Sequence, residues 1–259
     1  MKTSFTLIGA HRAGVASLRY ALASHPKVVF RDHQSSVFED DDRFAKGTPD
    51  LREYEVRPTR MEDDSLIGDV GILYAYWSQS IPRLFRYDSQ QKLIMLLRNP
   101  IDRAYSHWQR NVSHQLEDKD FVSAVNLEPY RLRNQGWHGQ HKYFSYLDQG
   151  FYSRQIEHIY QYFDPHQVLF IRSEDFADNF AVVMYQICEF LDLPYIEIDE
   201  VAREVGDYAQ SMPPEVYNEL IEIYRRDVYR MEELLGWNCS HWLEPQEVRV
   251  PQQVVFQQS

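Results

Sequence analysis

The stretch from Leu93 to Trp108, LIMLLRNPIDRAYSHW, constrains the fold more than any other. The unbroken apolar run Leu93–Leu97, closed by a turn signal, reads as a strand buried on both faces, the kind found in parallel sheets. Asn99 is a good helix N-cap, and Pro100 suits the first helical position, where its missing N–H is no loss. Ile101, Ala104, Tyr105 and Trp108 then recur at helical spacing. The stretch therefore predicts strand, sharp turn and helix. Arg98 falls at the carboxyl end of the strand, and Ser106 about two turns into the helix. Open α/β sheets bind ligands at the carboxyl ends of their strands. A guanidinium fork and a hydroxyl at that place suit a phosphate or sulfate group.

The N-terminus repeats the pattern. Phe5 to Ile8 reads as a buried strand, Gly9-Ala10-His11-Arg12-Ala13-Gly14 as a small-residue turn, and Val15, Leu18 and Leu22 as the apolar stripe of a helix. Exposed N–H groups and the helix dipole at such a turn attract an anion. The loop is not a Walker A motif, because GxxxxGK[ST] is absent; Arg12 supplies the fixed positive charge. Further strands are predicted over 27–30, 66–70 and 168–171. Helices are predicted through Tyr74, Trp77 and Ile81, around 121–130, and over 151–163, 180–191 and 216–235, with Gly236 as a C-cap. The acidic run Glu39-Asp40-Asp41-Asp42 reads as a solvated loop or helix start. Residues 111–148, rich in His, Trp and Tyr, read as a lid or acceptor-site wall. Strands alternating with helices imply an α/β fold: a mainly parallel central sheet flanked by helices. With 259 residues and no visible linker, the expectation is a single domain over 1–259, with a flexible tail from about 243.

A formal net charge of −12 argues against nonspecific nucleic-acid binding, so any anion site must be built locally from a few Arg residues and helix N-termini. The two cysteines, Cys188 and Cys239, have no metal-motif spacing, and Cys188 lies among apolar residues as a buried thiol. The first apolar run is too short for a signal peptide, and no segment reaches the length of a membrane span. The reading is a cytoplasmic chain with no metal and no membrane span. The sequence sets no oligomeric state.

LLRNPIDRAYSH resembles the 3′-phosphate motif of the PAPS-dependent sulfotransferases, and FTLIGAHRAGVASLRYALASHP resembles their 5′-phosphosulfate loop, GxxKxGTTxL. GFYSRQIEHIYQYFDPHQVLFIRSEDFADN and the region Tyr208 to Trp242 are similar to later parts of the bacterial and heparan-type members. The resemblance runs along nearly the whole chain. It implies a P-loop NTPase-like sulfotransferase fold and transfer of a sulfuryl group from 3′-phosphoadenosine 5′-phosphosulfate (PAPS) to a hydroxyl or amine of a carbohydrate or small-molecule acceptor. It further implies that Arg98 and Ser106 hold the 3′-phosphate with help from Arg203. Arg12, Ala13, Gly14, Val15, Ala16 and Ser17 would cradle the 5′ end, and Tyr152 and Tyr208 would reach the adenosine pocket.

Three departures accompany the match. Arg12 stands where the family has Lys, which keeps the charge but changes its geometry. Val15 and Ala16 replace two hydroxyl residues. Gln34 occupies the position of the carboxylate base and cannot take a proton; His33 beside it can, with Asp32 a weaker alternative. His107 is turned about 100° from Ser106 on the helix and reads as structural. The competing expectation is a protein that binds the 3′-phosphoadenosine nucleotide without transferring anything.

Overall fold

The computed structural model describes residues 2–31, 37–52, 54–55, 64–136, 139–198 and 212–247. In chain order the elements are β1 (Phe5–Gly9), α1 (Val15–Ala23), β2 (Val28–Phe30), α2 (Asp41–Phe44), β3 (Leu66–Val70), α3 (Ser80–Tyr87), β4 (Lys92–Leu97), α4 (Pro100–Ser113), α5 (Phe121–Asn134), α6 (Tyr152–Tyr160), β5 (Val168–Arg172), α7 (Ser173–Asp178), α8 (Phe180–Phe190) and α9 (Pro214–Leu235).

The five strands form one sheet in the order β2-β3-β1-β4-β5, and every pairing is parallel. β1 is buried along its whole length, and β4 from Leu93 onward. That explains why their sequences are apolar without alternation: both faces are covered. The chain leaves β1 toward β2 on one side and leaves β4 toward β5 on the other. The carboxyl ends of β1 and β4 therefore flank the topological switch point, where open α/β sheets form a crevice.

Local chemistry explains the turn after β4. The Asn99 side chain accepts from the Ile101 N–H at 2.9 Å, and Pro100 opens α4. Asn99 also donates through Nδ2 to the Tyr217 hydroxyl (2.9 Å) and the Trp242 carbonyl (3.3 Å), so the cap is welded to the C-terminal region. At the far end, α9 stops at Gly236, whose φ of 66° is the left-handed cap expected there.

Four expectations shift. The residues from Gly71 to Gln79 form tandem turns, and helix begins only at Ser80. Pro82 favours this start, because proline is best accommodated in a helix's first turn; Tyr74 and Trp77 are buried from the turns instead. α5 runs four residues past Tyr130, and α7 was not foreseen. The acidic run is partly structural: Asp40 caps α2, Asp41 pairs with Arg83 and accepts from Trp77 Nε1, and Glu39 is buried. At the tail, Leu243 is buried, and Gln246 and Asn218 exchange backbone–side-chain bonds at 2.9 and 3.1 Å, so the docked chain reaches past 243.

Candidate donor site and its acceptor wall

The loop between β1 and α1 is tied down through its carbonyl groups. Ala10 N–H donates to the Leu96 carbonyl at 2.8 Å. Arg98 Nη1 donates to the Arg12 carbonyl at 3.2 Å, and Ser173 Oγ donates to the Ala13 carbonyl at 2.6 Å. In a trans peptide the next N–H points opposite to the carbonyl. Holding the Ala13 carbonyl on Ser173 therefore turns the Gly14 N–H away from β5. Gly14 is the N-cap of α1 with φ 99°, and among the described residues no side-chain cap bond is made there. The first-turn N–H groups, with the positive end of the helix dipole, remain available to an anion.

Two cations serve this loop. Arg12 is half-buried with φ 70°, and its Nε donates to Ser106 Oγ at 3.1 Å. Arg98 is half-buried at the end of β4. The structure thus brings together Arg12, Ala13, Gly14, Arg98 and Ser106 at the switch point. Val15 is a core residue, 4% exposed, while Ala16 is exposed and Ser17 half-buried. The methyls at 15 pack inward where the resemblance leads one to expect a hydroxyl. Tyr152 is fully buried and its hydroxyl donates to the Arg98 carbonyl at 3.0 Å, which ties α6 to the end of β4. Asp32, His33, Gln34, Arg203 and Tyr208 lie outside the described residues.

A second set of contacts faces the loop from residues 141–150. Arg103, His107 and Asn111 occupy one face of α4 at four-residue spacing, and all three are buried. Arg103 donates to the Tyr146 carbonyl, His107 packs edge-on against the Tyr146 ring with centroids 5.0 Å apart, and Asn111 Nδ2 donates to the Tyr143 carbonyl at 2.7 Å. From the other side Glu128 accepts the Leu147 and Asp148 N–H groups, each at 2.8 Å. Tyr224 donates to the Leu147 carbonyl at 2.8 Å, and Gly150 lets that phenol approach, since a Cβ there would lie 2.6 Å from its oxygen. The wall thus has its backbone polar groups met from α4, α5 and α9, while Tyr143 stands 58% exposed on it. His11 packs edge-on against His107, ring centroids 4.5 Å apart. Burial first, then the fields of Arg103 and Arg12, hold the His11 ring neutral, its pKa lowered to about 3. Burial and the neighbouring His11 push His107 the same way.

Sequence reasoning missed Ser173 and the buried polar stripe of α4. Ser173 was findable, since it follows the carboxyl end of a predicted strand. The α4 stripe was visible as polar residues at helical spacing beside the apolar stripe, but nothing local says that it is buried.

A family model for the sulfotransferase domain matches residues 78–212, just over half of the chain. This chain belongs to the sulfotransferase family. The matched span holds Arg98 and Ser106. Among curated relatives, the membrane-associated sulfotransferase kil1 of Dictyostelium discoideum is 21% identical over 90% of this chain and 65% of its own length. The human bifunctional heparan sulfate N-deacetylase/N-sulfotransferase 3 is 26% identical over 76% of this chain and 23% of its own length. The chain thus spans less than two thirds of each of these relatives. Among solved structures, a sulfotransferase from Alicyclobacillus acidocaldarius covers 94% of this chain and all of its own, with TM-score 0.78 and 24% identity. A mouse sulfotransferase complexed with PAP covers 75% of this chain and 60% of its own, with TM-score 0.50 and 17% identity. The parallel five-stranded sheet with flanking helices is the sulfotransferase fold. Among the described residues no helix is long and apolar enough to cross a membrane.

Proposed function

We propose that this sulfotransferase domain moves a sulfuryl group from PAPS to a hydroxyl or amine of a carbohydrate or small-molecule acceptor. The observation that carries the reading is the uncapped first turn of α1, set beside Arg12 and Arg98 at the switch point. Sulfuryl transfer, like phosphoryl transfer, needs positioning and neutralisation of spread charge more than covalent help. The acceptor oxygen or nitrogen attacks sulfur as the bond to the bridging 5′-phosphate oxygen breaks. The acceptor proton goes to a base, and the 3′,5′-bisphosphate leaves. In this reading the loop N–H groups and Arg12 take the charge growing on the 5′-phosphate. Arg98 and Ser106, with Arg203, anchor the 3′-phosphate, and His33 takes the proton. The PAP bound to the mouse structural neighbour supports the choice of donor. The aromatic wall, with exposed Tyr143 beside His141 and Phe144, suits the apolar faces of a sugar or small molecule. The expected soluble, cytoplasmic setting fits two free, buried thiols.

A binding-only reading has its own observation: Arg12 is turned onto Ser106. Incubation with sulfur-labelled PAPS and a panel of hydroxylated and amino acceptors decides between the two. Label on any acceptor supports transfer; bisphosphate binding without turnover on the whole panel supports binding alone. No bisphosphate binding sinks both. His33→Ala should lower turnover while leaving bisphosphate affinity unchanged.

A further inference from the structure

Two side chains hold carbonyls of the loop between β1 and α1, and they come from different strand ends: Arg98 follows β4 and Ser173 follows β5. One residue of the C-terminal region reaches the neighbour of each. Trp242 sits in a single helical turn, Ser240–Leu243, and is 2% exposed. Its indole Nε1 donates to Glu174 Oε1 at 2.8 Å, beside Ser173 at the start of α7. Its carbonyl accepts from Asn99 Nδ2 at 3.3 Å, beside Arg98 at the start of α4. The turn that carries it is itself anchored. The Trp242 N–H donates to the Cys239 carbonyl at 2.9 Å, Arg172 Nη1 donates to the Asn238 carbonyl at 3.2 Å, and the Cys239 N–H donates to Glu232 of α9. His241 Nε2 also lies 3.0 Å from Glu174 Oε1, but its ring is half exposed. An exposed pair contributes little, so the buried indole is the stronger tether.

The loop needs such holding. Arg12 has φ 70°, a conformation that is strained for a residue with a Cβ and persists only where its surroundings over-determine it. Its carbonyl and that of Ala13 are the groups held by Arg98 and Ser173. Ser173 Oγ reaches the Ala13 carbonyl, at 2.6 Å, only while α7 starts in the right place, and α7 has just six residues to keep it there. We propose that Trp242 is a positioning residue for the donor loop. By hydrogen-bonding Glu174 with its ring and Asn99 with its carbonyl, it fixes the strand ends that carry Ser173 and Arg98, and so sets the direction of the Gly14 N–H. Its effect on nucleotide binding rests on the sulfuryl-transfer reading of that loop; its effect on the Ala13–Gly14 peptide does not.

Ala13-Gly14 is the only Ala-Gly pair in the chain. The full chain labelled with carbonyl-¹³C alanine and ¹⁵N glycine therefore gives a single carbonyl–amide correlation, which reports on the carbonyl that Ser173 holds. Ser173→Ala frees that carbonyl and should move the signal. Trp242→Phe keeps a ring and the backbone carbonyl but removes the Nε1–H. It should move the signal in the same direction, and add little in the Ser173→Ala background, because both changes act on one contact. Glu174→Ala removes the acceptor with the indole left in place and should act alike. In calorimetry Trp242→Phe should weaken adenosine 3′,5′-bisphosphate about threefold to tenfold and adenosine 3′-monophosphate less, whereas general destabilisation would lower both equally. A signal unmoved in folded Trp242→Phe and Glu174→Ala proteins overturns the proposal, as does an equal loss of the two nucleotides. If the unsubstituted protein binds neither nucleotide, the sulfuryl-transfer reading fails, and the Ala13–Gly14 signal still decides the tether.

Discussion

Arg12 Nε and Ser106 Oγ are joined at 3.1 Å across 94 positions of sequence. The resemblance assigns them to opposite ends of a nucleotide donor, one to the 5′-phosphosulfate and one to the 3′-phosphate. In the fold the hydroxyl helps aim the guanidinium. Arg98, one strand end away, reaches back to the carbonyl of the same Arg12. The candidate donor site is thus a connected set of contacts rather than two independent half-sites.

This arrangement ranks the residues. Arg98→Ala should weaken adenosine 3′,5′-bisphosphate binding by roughly 10- to 100-fold, because it removes a charge-assisted contact of about 1.5–3 kcal/mol and also releases the Arg12 carbonyl. Ser106→Ala should cost less, roughly five- to tenfold, since it removes a neutral hydroxyl. Calorimetric titration of both variants measures this, and equal losses would contradict the roles assigned.

Asn99 does two jobs, and its variants should separate them. Asn99→Ala removes the α4 cap and the donor to Tyr217 and Trp242. Losing both should cost about 2–3 kcal/mol. Asn99→Asp keeps the cap acceptor and loses only the donor, so it should retain part of that stability. Urea unfolding of the two variants is the measurement; an Asp variant no better than Ala would show that the cap contributes nothing.

Glu128 should make stability depend on pH. Burial, with a further push from Asp148, raises its carboxyl to about 7 despite the Leu147 and Asp148 N–H bonds and the field of Arg103. The unfolded chain gives up this proton first, near the ordinary carboxyl value of 4.5. Its contribution to stability is therefore fully present below about 4.5 and is lost as pH rises through about 7. In Glu128→Gln the corresponding slope between those values should vanish. Parallel unfolding curves for the two proteins across that window would rule this out.

The thiols should be inert in the folded state. Cys188 and Cys239 are both buried, and burial pushes the Cys239 thiol up to about 12. Thiolate is the reactive form. Ellman's reagent should therefore label neither at neutral pH until denaturant is added. Rapid labelling of the native chain would contradict the burial described.

The local units of this fold were legible because each is encoded by neighbours. The runs at 5–9 and 92–97 announce buried parallel strands, and Asn99-Pro100 announces a helix start. The misreadings occurred where local signals compete. Tyr74, Trp77 and Ile81 have helical spacing, but Pro82 and the turns after Gly71 move the helix to Ser80. Of the candidate site, Arg98, Ser106 and the loop from Arg12 to Gly14 could be proposed from sequence, because strand ends and glycine turns are local facts.

What sequence alone determined, then, is the alternation of strands and helices, the strand end and glycine turn proposed to meet an anion, and the cations placed there. Only the tertiary structure decided how those places connect. Arg12 meets Ser106 over 94 positions, Arg98 meets the Arg12 carbonyl over 86, and Ser173 meets the Ala13 carbonyl over 160. Propensity and periodicity act over a few residues, whereas these partners are neighbours only because β1, β4 and β5 lie in register with their carboxyl ends together.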